Sequence, residues 1–151
     1  MMKLVNLFSL MAIDNVADTP EQCHSVLLIN GNDTGVIIYG AVLEASVQVD
    51  TARYLLFLTD GLLFENGLTI CLFDALEGVL DEVRLVAAYT DGYFENLKIS
   101  SDSVSFDFFG TLKWTVRVLK TPVVRLPLIN PFGVYRHFRL KTFLQIGHES
   151  G

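Results

Sequence analysis

Histidine and cysteine are scarce in this chain: His24, His137 and His148 are its three histidines, Cys23 and Cys71 its two cysteines, and none share a metal-like or redox-like spacing. That scarcity gives no support to a zinc site or a catalytic dithiol, and no cofactor is expected. The two cysteines read as buried thiols of a cytoplasmic domain, with a disulfide between them left open. Long apolar runs are missing too. None reaches the roughly 18 residues that cross a bilayer, because Asp60, Glu65, Asp74 and Glu77 punctuate the greasiest stretch. The opening run from Lys3 to Ile13 is broken by Asn6 and Ser9, and Asn15-Val16-Ala17 is a poor cleavage site, so it reads as a strand rather than a signal peptide. No glycine-rich phosphate loop follows a strand, and no nucleophile stands in a recognisable setting.

Apolar residues, by contrast, make up 51% of the chain, and mean hydropathy is +0.43 with 19% charged residues. Such a composition excludes disorder. The length fits one domain over residues 1–151 built on one core. The surplus apolar surface points to a subunit interface, hence a homo-oligomer.

β-branched and aromatic residues recur in short runs separated by Gly, Asp, Asn and Pro, the pattern of consecutive antiparallel strands. The runs are Ser25 to Ile29, Val36 to Val49 with a bend at Gly40, Arg53 to Thr59, Leu68 to Phe73 and Val83 to Thr90. They continue with Phe94 to Ile99, Val104 to Phe109, Leu112 to Leu119, Val123 to Leu128 and Val134 to Leu144. This predicts an all-β fold, an antiparallel β-sandwich or flattened barrel of about ten strands with an internal hairpin duplication. Alternation is explicit in Val104-Ser105-Phe106-Asp107-Phe108 and in Trp114-Thr115-Val116-Arg117-Val118, which predicts a hairpin turning near Gly110. At most one or two short helical turns are expected. Thr19-Pro20-Glu21-Gln22 carries helix-start chemistry, and Asp74 to Val83 fits a helical period but is interrupted by Gly78, which favours a β-hairpin.

The duplication is carried by Thr59-Asp60-Gly61 and Phe64-Glu65-Asn66, which recur as Thr90-Asp91-Gly92 and Phe94-Glu95-Asn96. An arginine, Arg53 or Arg84, stands six positions before each threonine. Turn chemistry explains these residue types: Asp-Gly makes the turn, the phenylalanine anchors the loop, and Glu-Asn caps backbone groups. The functional alternative gathers Asp60, Glu65, Asp91 and Glu95 as oxygen ligands for a hard cation such as Ca²⁺. The arginines are expected to form surface salt bridges with acidic loops or with the neighbouring copy.

Two further patterns carry chemistry. Asp33-Thr34-Gly35 resembles the signature at the catalytic aspartate of aspartic proteases, a likeness three residues long that departs from the family at Val36 and in the polar Asn30-Gly31-Asn32 before it. The same run reads as a tight hairpin loop. Charge is also uneven: residues 1–110 carry a net −12 and residues 111–151 a net +6. The densest basic stretch places Arg136, His137, Arg139 and Lys141 among Tyr135, Phe138 and Phe143, the mix an anion or single-stranded nucleic acid would meet. An overall charge of −6 argues against a polyanionic partner. The sequence thus supports a non-enzymatic interaction or assembly module; a small hydrolase or ligand-binding protein using the acidic loop ends is the alternative, and a nucleic-acid binder the third.

Overall fold

The computed structural model describes residues 2–13, 24–62, 66–87, 92–110, 112–124, 133–135 and 141–150, and their regular structure is all strand. In chain order the strands are β1 (Lys3–Leu4), β2 (Phe8–Ala12), β3 (His24–Ile29), β4 (Asn32–Tyr39) and β5 (Val42–Gln48). They continue with β6 (Arg53–Thr59), β7 (Leu68–Asp74), β8 (Gly78–Leu85) and β9 (Glu95–Ile99). The last are β10 (Ser103–Asp107), β11 (Leu112–Val124), β12 (Val134–Tyr135) and β13 (Lys141–Ser150).

These strands pair antiparallel in three sheets: a central sheet ordered β1-β5-β6-β7-β8-β12, a front sheet ordered β13-β11-β10-β9 and a back sheet ordered β2-β3-β4. The all-β antiparallel expectation holds. Three of the expected strands divide, however. Lys3 to Ile13 becomes β1 and β2; Val36 to Val49 breaks at Gly40 as the chain passes from the back sheet to the central one; Val134 to Leu144 divides between the central and front sheets. The expected helical turn at Thr19 to Gln22 lies outside the described residues. Asp74 to Val83 forms the β7–β8 hairpin, with the Asp74 carboxylate accepting the Leu76 and Glu77 N–H groups at 2.8 and 3.0 Å.

Side chains alternate across a strand, so a strand that is apolar throughout must be covered on both sides. In β6, Leu55 and Phe57 face forward into a core with Val104, Phe106, Phe108, Trp114, Val116 and Leu144 of the front layer. Leu56 and Leu58 face backward into a second core with Phe8, Leu27 and Ile38 of the back sheet. β7 does the same, with Leu68, Ile70 and Leu72 forward and Cys71 and Phe73 backward. The domain is therefore three β layers deep. Much of the apolar surplus in the composition lies in this doubly covered sheet, so composition by itself no longer argues for a subunit interface.

The front interlayer is stitched by aromatic and polar contacts. Phe57, Phe94 and Phe106 form a triangle with ring centroids 5.1 to 5.4 Å apart. The Trp114 indole N–H donates to the Phe108 carbonyl at 3.0 Å, which satisfies the polar end of a fully buried ring. Asp81 of β8 is only 1% exposed, and its Oδ2 accepts the N–H groups of both Phe143 and Leu144 at 2.9 Å. Successive strand amides do not normally share one acceptor. Here they sit beside the β11–β13 register shift between Val118 and Val123, and the carboxylate takes up both donors.

Asp81→Ala should therefore cost about 2 to 4 kcal/mol, because buried amides lose a charged acceptor. Urea unfolding measures it, with Asp81→Asn falling between the variant and the parent. A cost under about 1 kcal/mol would mean that the amides find other partners.

Candidate functional site

Asp60 follows the last residue of β6 and is 2% exposed, too deep for an unpaired charge. Arg84 of β8 meets it bidentately, Nη1 to Oδ1 at 3.1 Å and Nη2 to Oδ2 at 3.0 Å, while the Gly67 N–H donates to Oδ2 at 3.0 Å. Arg84 Nη1 also donates to the hydroxyl of Thr69, its register partner on β7, at 2.7 Å, and the guanidinium lies 3.9 Å from the Tyr39 ring centroid. A Cβ at Gly67 would stand 2.7 Å from Arg84 Nη2, so the pair needs glycine there. The expected surface salt bridge is instead an interior one, because Arg84 alternates with forward-facing Val83 and Leu85 and so points into the back interlayer.

The two similar sequence segments touch at this end. Asn66 accepts the Leu62 N–H at 3.2 Å and donates to the Gly92 carbonyl at 3.3 Å. Their glycines serve different needs: Gly61 takes φ 72°, whereas a Cβ on Gly92 would fall 2.2 Å from the Phe108 ring. Phe94 packs on the front core; Phe64, Glu65 and Asp91 lie outside the described residues. Glu95 is exposed at the start of β9, opposite Asp107, while both oxygens of Asp60 are engaged by Arg84. Among the described residues no three or more His, Cys, Asp or Glu side chains converge.

At the other end of β6, roughly 23 Å away along an extended strand, the front and central sheets part around a cleft of about 540 Å³. Its floor is Met2, Val49 and Val118, and its rim is Asp50, Arg53, Ser101, Asp102 and Lys120. Arg53 donates through Nε to Asp50 Oδ2 at 2.7 Å and through Nη1 to the Leu119 carbonyl at 2.8 Å, its side chain 12% exposed. Burial pulls the Asp50 carboxyl upward, but hydrogen bonds from the Arg53 side chain and the Ala52 and Arg53 amides, with the Arg53 charge, hold it below its ordinary value of 3.8. Asp102 pairs with Arg117 at 3.4 Å. This cleft is lined by none of the described residues of the duplicated loops.

The chain matches no protein-family model, no curated protein and no solved structure. Among the described residues, no helix is long and apolar enough to cross a membrane.

The remaining sequence candidates are scattered. Lys141 is exposed at the start of β13 in the front sheet and Tyr135 ends β12 in the central sheet, so they do not share one strand face; Arg136, His137 and Arg139 lie outside the described residues. β13 pairs with β11, which carries Lys113, Arg117 and Lys120, and Asp81 provides a direct tie to the acidic part of the chain. Just before the Asp-Thr-Gly run, Asn30 and Gly31 form the two-residue turn of the β3–β4 hairpin at φ 51° and 80°. Asp33 Oδ1 accepts the Gly35 N–H at 2.6 Å on the exposed surface. Sequence reasoning passed over Asp50, Asp81, Asp102 and Lys120. Asp50 had a usable signal, an Asp-x-x-Arg turn between two apolar runs; the others are brought into place by sheet packing.

Because the Asp60–Arg84 pair is enclosed, Asp60→Asn and Arg84→Met should each cost about 3 to 5 kcal/mol. The double variant should cost less than the sum by about 1 kcal/mol or more. Denaturant unfolding of the four proteins checks this, and strict additivity would show that the two groups act separately.

Proposed function

We propose that the chain is a non-enzymatic interaction and assembly module that self-associates through the outer face of the back sheet. The carrying observation is a cross-strand row on that face: Met11 pairs in register with Val26, and Val26 with Ile37. Met11 is 47% and Ile37 60% exposed. The outer face of the front sheet has the opposite character, with Glu95, Asp107, Lys113 and Glu149 forming one row across its four strands. A charged row suits water; a bare apolar row is stabilised by being covered.

A second copy is the favoured occupant. In described positions Asp33 is the one carboxylate on the back face, beside His24 and its register partner Tyr39, so two copies of a chain with net charge −6 meet there with little repulsion. A two-fold axis also sets Met11 of one copy against Ile37 of the other, which makes the patch self-complementary. With two half-exposed side chains and a partly buried Val26 per copy the dimer is weak and concentration-dependent.

Sedimentation equilibrium from micromolar to millimolar concentration should show the mass rising above 16.9 kDa. Ile37→Asp should hold it at the monomer, and Thr115→Asp, on the exposed front face, should leave association intact. A monomer throughout, or equal loss with either variant, would sink the reading.

A further inference from the structure

We propose that the cleft between the β5–β6 turn and the front sheet binds a small organic anion with a short apolar tail. This stands apart from the assembly reading, since cleft and apolar row are on different elements. The floor is apolar and partly reachable: Met2 and Val118 belong to the front core yet line the cleft, at 7% and 8% exposure. A volume of about 540 Å³ is ample for a tail of several methylenes.

The rim decides the sign of the head group. Asp50 spends Oδ1 on the Ala52 and Arg53 amides and Oδ2 on Arg53 Nε, so its acceptors are already occupied. Asp102 is paired with Arg117 and its side chain is 61% exposed. The cations are less committed. Arg53 uses Nε and Nη1, and among the described residues Nη2 has no hydrogen-bond acceptor, on a guanidinium fixed by its bonds to Asp50 and the Leu119 carbonyl and lying 5.9 Å from the Phe143 ring centroid. Lys120 stands on the same rim with no carboxylate within ion-pair distance among the described residues, and Lys3 lies beyond Asp50 in a neighbouring hollow of about 490 Å³. A carboxylate held between Arg53 Nη2 and Lys120 therefore finds unused donors, and its tail settles on Met2, Val49 and Val118. An ammonium finds Asp50 engaged at both oxygens and Asp102 facing Arg117.

Calorimetric titration with octanoate, acetate and octylammonium tests this directly on the full chain. Octanoate should bind with a dissociation constant of about a millimolar or better, and acetate, lacking the tail, at least about tenfold more weakly. Octylammonium should not bind measurably. Lys120→Glu, at an exposed position that leaves the fold intact, should weaken octanoate about tenfold by removing one charge-assisted contact and adding a repulsive charge. Ile37→Asp should leave octanoate binding unchanged, which separates the cleft from the back-sheet row. Equal binding of octanoate and octylammonium, no heat at about 10 mM octanoate, or an affinity indifferent to Lys120→Glu would each overturn the proposal.

Discussion

Leu55, Leu56, Phe57 and Leu58 are consecutive in one strand and have no exposed surface, and a strand buries both of its faces only when a layer lies on each. The rest of the structure answers to that requirement. β7 continues the doubly apolar pattern beside β6, the front sheet covers Phe57 and Ile70, and the back sheet, built from β2, β3 and β4, covers Leu56, Leu58 and Cys71. Each fully buried large aliphatic or aromatic side chain contributes about 1.5 to 3 kcal/mol, so the β6–β7 hairpin carries a disproportionate share of the driving force.

Enclosing a sheet on both faces raises a polar problem at its margins, where loops leave and charged residues cannot be avoided. Two buried carboxylates deal with it in different ways. Asp60 takes a guanidinium from two strands away, and the pair fastens the end of β6 to β8 inside the back interlayer. Asp81 takes two strand amides and fastens β8 to β13 across the front interlayer. Polar groups are thus used where they define which layer meets which, and the apolar residues supply the bulk of the stability.

The outer strands were legible in the sequence because one side of each meets water and the alternation survives. The β10–β11 hairpin shows it, with Phe106 facing Trp114 and Asp107 facing Lys113 in register. β6 and β7 are legible as strands too, yet much of the apolar surplus that in the composition points to a subunit interface lies in them. Period-two alternation disappears once both faces are buried, and a third layer leaves no local mark in the chain. The likeness of the two Thr-Asp-Gly segments is plain in the sequence, and Asn66 of the first donates to the Gly92 carbonyl of the second. What could not be read was depth: Arg84 and Arg53 hold equivalent places in the repeat, but one points between layers and the other rims an open cleft. The cleft itself gathers residues from four separate stretches of chain, which local spacing does not reveal.

Cys71 offers the most direct test of the layered arrangement, because its side chain faces the back sheet. In a two-layer sandwich that position would meet solvent. Peptide-resolved alkylation under native conditions should leave Cys71 unmodified until global unfolding in denaturant releases it, so that its labelling midpoint coincides with the unfolding midpoint. Modification of Cys71 in the folded protein at the rate of a solvent-exposed thiol would contradict the third layer and, with it, the explanation given for the central strands.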